Sequence, residues 1–133
     1  MFTDISDAIR RSDNILIIPH YNADGDCLGS SYALKLMFEE IGKRADVILD
    51  EKDCEHRILK ILDGVRCKND AFVPDLVVAV DCADKKRMGT RVSAFDSCAV
   101  TINLDHHVTN DRYGLYNFVN PDAAATGEII YEL

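Results

Sequence analysis

The chain has 133 residues, of which 47% are hydrophobic and 29% are charged, a composition that fits one globular domain with its own core. Its formal net charge of −8 at pH 7 disfavours a protein that coats DNA or RNA through the phosphate backbone. The sequence contains no apolar run of about 18 residues and no secretory signal, so we expect a cytoplasmic protein without a membrane span.

The first half of the chain alternates between strand and helix patterns. Short runs of branched apolar residues predict strands, and apolar residues three or four positions apart predict helices. The predicted elements are a strand over Ile15–Ile18 ended by Pro19, a helix over Leu28–Ile41, a strand over Asp46–Leu49 and a short helix over His56–Leu62. A polar connection over residues 64–74 follows.

The second half continues the alternation. It predicts strands over Asp75–Val80, Ala99–Leu104 and Leu115–Asn120, and a helix that starts at Ala123 and runs to Leu133. Strands that alternate with helices favour an α/β fold with right-handed crossovers. We therefore predict a doubly wound, mainly parallel sheet with helices on both faces.

Polar clusters follow three of the predicted strands. His20, Asp24 and Asp26 come after the first strand, and Asp81 follows the strand over Asp75–Val80. The run Asp105-His106-His107 follows the strand over Ala99–Leu104. Ligands of doubly wound sheets bind at the carboxyl ends of the strands, so these clusters should converge at one edge.

Four aspartates at one edge repel one another unless cations neutralise them. The five cysteines form no C-x-x-C pair, so we expect reduced thiols and a site built from carboxylate and imidazole. These ligands favour Mn²⁺, with Mg²⁺ or Co²⁺ as alternatives and zinc less favoured. Two such ions about 3.5 to 4 Å apart would activate a water for attack on the phosphorus of a phosphate ester.

Several residues near these clusters also have ordinary structural interpretations. Asp24-Gly25 is a strong turn signal, and Gly29 and Ser30 either cap a helix or leave amide groups free for a phosphate. Arg87 and Arg112 lie in polar loops, where a solvated side chain is the usual explanation and a substrate contact is the alternative. Cys82 follows Asp81, but no general base accompanies it, so we assign it no catalytic role.

Three motifs together resemble the DHH phosphoesterases. They are H-x-N-x-D-G-D-x-x-G-S at residues 20–30, V-D-C-A-D at residues 80–84 and D-H-H at residues 105–107, and the resemblance covers nearly the whole chain. It implies one ion held by His20, Asp24 and Asp81, and a second held by Asp26, Asp81 and His106. Asp81 would then bridge the two ions.

The resemblance also implies roles for the two remaining residues of the third motif. His107 would contact the scissile phosphate. Asp105 would accept an imidazole N–H and so fix the orientation of a ligand histidine. Ala23 departs from the family pattern, since proline is usual at this position.

Within the family, the chain most resembles bacterial oligoribonucleases that also dephosphorylate 3′-phosphoadenosine-5′-phosphate. The implied substrate is a short oligoribonucleotide or a nucleotide phosphate. Cyclic-dinucleotide phosphodiesterases are similar as well, while family II pyrophosphatases and RecJ-type exonucleases are less so.

The resemblance implies that residues 1–133 are an N-terminal DHH domain, truncated before the fourth motif and the substrate-binding DHHA1 domain. The fourth motif would supply a further aspartate ligand. An inactive fragment that binds a metal or a nucleotide is therefore a second hypothesis. Exposed strand edges also favour a homodimer.

Overall fold

The protein is built around a sheet of five parallel strands. A computed structural model describes residues 2–49, 54, 56–62 and 73–133. The strands are β1 (Asn14–Pro19), β2 (Arg44–Val47), β3 (Leu76–Val80), β4 (Thr101–Asp105) and β5 (Tyr116–Val119). The helices are α1 (Phe2–Arg11), α2 (Gly25–Glu40), α3 (His56–Ile61), α4 (Val92–Ser97) and α5 (Thr126–Glu132), with a 3-10 segment at Lys85–Arg91.

The strand order β2-β1-β3-β4-β5 places β1 and β3 at the centre of the sheet. From β1 the chain crosses to β2 on one side, and from β3 it crosses to β4 and β5 on the other side. Such a reversal opens a crevice at the carboxyl ends of the two central strands, where α/β proteins bind ligands. Pro19 pairs with Val80, so His20 and Asp81 leave neighbouring strands at the same level.

Helices cover both faces of the sheet, which confirms the predicted fold class. On one face α1, α2 and α5 pack against β1, β3 and β4, and this larger core includes Ile5, Leu34, Phe38 and Ile130. On the other face the 3-10 segment and α4 bury Met88 and Phe95. β3 and β4 are buried along their whole length, which explains the continuous apolar run of β3.

The observed elements differ from the predicted ones in a few places. β2 starts and ends two residues before the predicted strand, because its pairing with β1 begins at Arg44. α2 begins three residues earlier than predicted, at Gly25, and α5 begins three residues later, at Thr126. The sequence interpretation missed α1, the 3-10 segment and α4. Most of the predicted polar connection over residues 64–74 lies outside the described residues.

Candidate metal centre

The carboxyl edge of the sheet brings residues from three strand ends together. His20 follows β1, Asp81 follows β3, and Asp105 is the last residue of β4, directly before His106 and His107. The side chains of His20, Asp81 and Asp105 are almost completely buried. This is the convergence that the sequence predicts for the edge of a parallel sheet.

Asp81 lies at the centre of this arrangement. Its Oδ2 is 3.6 Å from His20 Nε2, and its Oδ1 is 3.7 Å from His106 Nε2. One carboxylate oxygen therefore faces His20, and the other faces His106 and lies 3.6 Å from His107 Nδ1. The backbone of Asp81 has a φ of 56°, a left-handed conformation that few residues adopt without strain and that often marks a functional site.

His20 and His106 both hold their Nε2 atoms toward carboxylates. His20 Nδ1 is 2.6 Å from the carbonyl oxygen of Tyr21, and His106 Nδ1 is 3.3 Å from that of Ala123. A carbonyl only accepts, so each Nδ1 must carry the hydrogen, which leaves each Nε2 lone pair free when the ring is neutral. This is the tautomer that a metal-ligating imidazole needs.

The buried environment of His20 also affects its protonation. Burial alone lowers the pKa of an imidazole, but the adjacent Asp81 carboxylate and the Tyr21 carbonyl outweigh that effect. The pKa of His20 is therefore raised. The pocket thus favours a positive charge near Asp81, and a divalent cation would satisfy the same preference.

Asp105 contacts the ring of His107. Its Oδ1 is 2.7 Å from His107 Nδ1 and also accepts the backbone N–H of His106 at 2.8 Å. Its Oδ2 accepts a hydrogen bond of 2.6 Å from the side-chain amide of Asn110. Asp105 was expected to orient a ligand histidine, whereas the ring that it contacts is that of His107, the expected phosphate-contacting residue.

Asp26 lies in the first turn of α2 and faces His106. Its Oδ2 is 3.8 Å from His106 Nε2 and accepts the backbone N–H of Thr126 at 3.0 Å. Its Oδ1 accepts the backbone N–H of Gly127 at 3.1 Å and the hydroxyl of Ser30 at 3.2 Å. Asp26 is therefore fixed by the start of α5, and one side of its carboxylate remains open to His106.

Asp24 occupies a more peripheral position. It is exposed, and its Oδ1 caps α2 by accepting the backbone N–H of Cys27 at 3.0 Å. Two groups of three close ligand atoms occur among the described residues, namely His20-Cys27-Asp81 and Asp81-His106-His107, and neither Asp24 nor Asp26 belongs to them. The Cys27 thiol is fully buried, which raises its pKa and disfavours the thiolate.

Two of the neighbouring residues have structural roles. Gly29 is the fifth residue of α2, beyond the four amide groups that a helix leaves free at its start, so its amide is not available for a phosphate. Cys82 is fully buried, and burial raises the pKa of its thiol to about 11. Cys82 therefore stays protonated near neutral pH, in agreement with the absence of an assigned role.

The two arginines differ in their surroundings. Arg112 is exposed and its backbone N–H donates to the side chain of Asn110. Arg87 is half-buried, and its carbonyl accepts the backbone N–H of Tyr21, directly after His20. Its Nε is buried and has no hydrogen-bond partner among the described residues. Of the two, Arg87 is thus the one placed beside the candidate centre.

Sequence reasoning missed Asn110 and Thr126, two residues whose side chains contact the predicted site residues Asp105 and Asp81. Asn110 donates to Asp105, and the hydroxyl of Thr126 donates to Asp81 Oδ1 at 2.8 Å. Asn110 comes three residues after the D-H-H run, a spacing that a loop-closing amide would favour. No local signal identified Thr126, because its partner lies 45 residues away.

The donor set fits a divalent cation. The Nε2 atoms of His20 and His106 lie 3.6 to 3.8 Å from the oxygens of Asp81 and Asp26, too far for hydrogen bonds and open between the facing lone pairs. Carboxylate oxygens and imidazole Nε2 atoms are ligands that Mn²⁺ and similar ions accept. A cation at this edge would offset the negative charge that Asp26 and Asp81 bring to it.

Comparisons with known proteins agree with this site. Two curated relatives carry the name bifunctional oligoribonuclease and PAP phosphatase NrnA. The one from Thermus thermophilus is 34% identical over 124 residues, and the one from Bacillus subtilis is 28% identical over 134 residues. These alignments cover 90% and 100% of this chain, but only 36% and 42% of the two relatives. The chain thus spans about two-fifths of their length.

A solved structure shares the fold. An exopolyphosphatase-related protein from Bacteroides fragilis superposes with a TM-score of 0.77 over 98% of this chain and 41% of its own, at 21% identity. The model of the DHH family, N-terminal domain, matches residues 14–133, which include every candidate ligand described above. The chain therefore belongs to the DHH family.

Proposed function

We propose that this protein is a metal-dependent phosphoesterase that hydrolyses phosphate ester bonds of short oligoribonucleotides or nucleotides. The observation that carries the proposal is the position of Asp81, whose two oxygens face His20 and His106 separately. This carboxylate lies at the carboxyl end of a central strand, where the direction of the crossovers reverses. A bridging ligand between two cations needs this arrangement.

Two divalent ions, with Mn²⁺ the preferred species, would share Asp81 as a ligand. His20 and Asp24 would complete one position, and Asp26 and His106 the other. The Oδ1 atom of Asp24 caps α2, so Asp24 would have to change its orientation to bind an ion. Asp26 already faces His106, and His20 and His106 already face Asp81. When bound, such ions stabilise charge on phosphoryl oxygens and lower the pKa of a water.

His107 is the residue that we assign to the substrate phosphate. Its Nδ1 is engaged by Asp105, so this nitrogen is not free to bind a cation. Its side chain is 40% exposed, and Nε2 remains for a phosphate oxygen or the leaving-group oxygen. The buried Asp105 carboxylate can only accept at His107 Nδ1, so this contact fixes the orientation of the ring and directs Nε2 away from Asp105.

The substrate class rests on the relatives and on the chemistry of the site. Both curated relatives are named for action on oligoribonucleotides and on PAP. The residues at the candidate centre of this chain can contact phosphate groups, while base and ribose contacts would come from outside it. Cytoplasmic localisation and a homodimer stay predictions.

The test compares wild-type chain with Asp81→Asn and Asp75→Asn. Asp75 precedes β3 and Asp81 follows it, so the two variants lose the same charge at opposite ends of one strand. The carboxylate of Asp75 accepts the backbone N–H groups of Asp13 and Asn14, far from the site. Bound Mn²⁺ and hydrolysis of 3′-phosphoadenosine-5′-phosphate and of a short oligoribonucleotide are measured for all three.

We expect two Mn²⁺ ions per chain and turnover in the wild type and in Asp75→Asn, and loss of both in Asp81→Asn. Uptake of Mn²⁺ without turnover would support a metal-binding fragment instead. Hydrolysis that persists in a chelator would refute the proposed mechanism.

A further inference from the structure

Thr126 is a buried polar residue that the assignment above leaves without a role. It is the first residue of α5 and has no exposed surface. Its hydroxyl donates a hydrogen bond of 2.8 Å to Asp81 Oδ1, the oxygen that faces His106. A hydroxyl enclosed beside a carboxylate forms a strong, charge-assisted bond, because the ionised oxygen has lost most of its water.

The backbone of the same residue holds a second candidate ligand. The N–H of Thr126 donates to Asp26 Oδ2 at 3.0 Å. Asp26 comes from α2 and Asp81 from the end of β3, so one residue of α5 contacts two carboxylates that approach from separate elements. The backbone contact to Asp26 is available to every residue except proline at position 126, whereas the contact to Asp81 depends on the hydroxyl.

The contact with the hydroxyl controls the orientation of the Asp81 carboxylate plane. Oδ2 lies 3.6 Å from His20 Nε2 and accepts no hydrogen bond among the described residues, so this oxygen does not hold the carboxylate in place. The hydrogen bond from Thr126 to Oδ1 is the shortest contact of the carboxylate, since His106 Nε2 and His107 Nδ1 lie 3.7 and 3.6 Å from the same oxygen. If this bond is lost, the group can rotate about its Cβ–Cγ bond, and its two oxygens then face neither histidine correctly.

We infer that Thr126 is a positioning residue, whose hydroxyl fixes Asp81 so that one oxygen is presented to each of the two cation positions. The inference rests on the proposed function, since it concerns how the bridging ligand is oriented. Groups that orient metal ligands in this way typically contribute about 10- to 100-fold to metal affinity.

The experiment measures Mn²⁺ binding to the full chain by calorimetry, without substrate. Thr126→Val removes the hydroxyl and keeps the branched shape, and Thr126→Ser keeps the hydroxyl and removes the methyl group. We expect Thr126→Val to bind Mn²⁺ about 10- to 100-fold more weakly than wild type, and Thr126→Ser to bind with nearly wild-type affinity. Thr126→Ala serves as a second variant without the hydroxyl, should valine prevent folding.

Thr101→Val is the matched control. Thr101 is also buried, but its hydroxyl accepts the backbone N–H of Leu115 at the opposite end of β4. We expect this variant to lose stability and to keep its Mn²⁺ affinity. Circular dichroism spectra establish that each variant is folded before its affinity is measured.

Each outcome has a distinct meaning. Wild-type affinity in folded Thr126→Val or Thr126→Ala overturns the positioning role and leaves the proposed function intact. Affinity in Thr126→Ser as weak as in Thr126→Val also overturns it, because the hydroxyl would then not be the group that matters. If the wild type binds no Mn²⁺, or if Asp81→Asn binds Mn²⁺ as well as the wild type does, the proposed function fails. The positioning role then fails with it.

Discussion

His106 and His107 are neighbours in sequence, yet their rings have different partners. His106 has its Nδ1 against a backbone carbonyl and its Nε2 toward Asp26 and Asp81. His107 has its Nδ1 against the buried Asp105. The first arrangement suits a metal ligand, and the second suits a group that meets the substrate.

The two histidines should therefore respond differently to substitution. We predict that His106→Ala lowers Mn²⁺ affinity and turnover together. His107→Ala should keep its Mn²⁺ and lose about 10²- to 10³-fold in kcat, the usual cost of removing one group that stabilises charge in the transition state. Metal content by elemental analysis and steady-state kinetics check the two effects, and loss of Mn²⁺ from His107→Ala would contradict its assignment to the phosphate.

At the residue scale, the sequence located most of the candidate centre. His20, Asp81 and Asp105 were identified because polar residues that end buried strands are easily recognised. Pairings between side chains were harder, since the partner of Asp105 depends on how the loop after β4 turns. Thr126 stayed hidden because its contacts with Asp81 and Asp26 span 45 and 100 residues of sequence.

At the element scale, the strands were predicted better than the helices. β3 is a continuous apolar run because both of its faces are buried, and β1 has a similar run over Ile15–Ile18. α1 was missed because its charged residues mask a narrow stripe of three buried residues, Ile5, Ala8 and Ile9. Gly89, with a φ of 60°, lies inside the 3-10 segment and interrupts the helical spacing that leads into α4, which hid both elements.

The loop before β5 leads to a prediction about stability. A Cβ at Gly114 would lie 2.7 Å from the carbonyl oxygen of Tyr116 and 3.0 Å from the backbone nitrogen of Asn103. Both contacts are with backbone atoms, which cannot move aside without disturbing the pairing of β4 with β5. We predict that Gly114→Ala lowers the free energy of unfolding by about 1 to 3 kcal/mol.

Gly29→Ala is the matched control for this substitution. Gly29 lies inside α2, and a Cβ there has nothing within 4 Å. Because alanine favours the helix over glycine, we expect a gain of up to about 1 kcal/mol. Urea denaturation measures both variants, and equal stability of Gly114→Ala and wild type would show that the loop accommodates the added methyl group.

At the scale of the whole molecule, repulsion among the acidic residues opposes folding. The formal net charge is −8, and the sheet gathers part of that charge at one edge. No helix among the described residues is long and apolar enough to span a membrane. Repulsion at the edge lowers the stability of the folded chain, and bound cations would remove that repulsion.

Cations should therefore stabilise the entire fold. At a free Mn²⁺ concentration 100 times the dissociation constant, one site adds about 2.7 kcal/mol to the free energy of unfolding. For a domain of this size we expect the Tm to rise by roughly 10 °C. Thermal denaturation with and without Mn²⁺ measures the shift, which Asp81→Asn should abolish and Asp75→Asn should retain. A shift of equal size in Asp81→Asn would place the binding elsewhere.

The left-handed backbone at Asp81 limits which amino acids can replace it during evolution. Glycine, asparagine and aspartate are the residues that enter this conformation most readily. Of these three, only aspartate carries a negative charge, and glutamate would place its carboxylate one methylene farther from the strand. Backbone geometry and charge thus select the same residue independently, so a substitution of aspartate loses either the favoured backbone conformation or the negative charge.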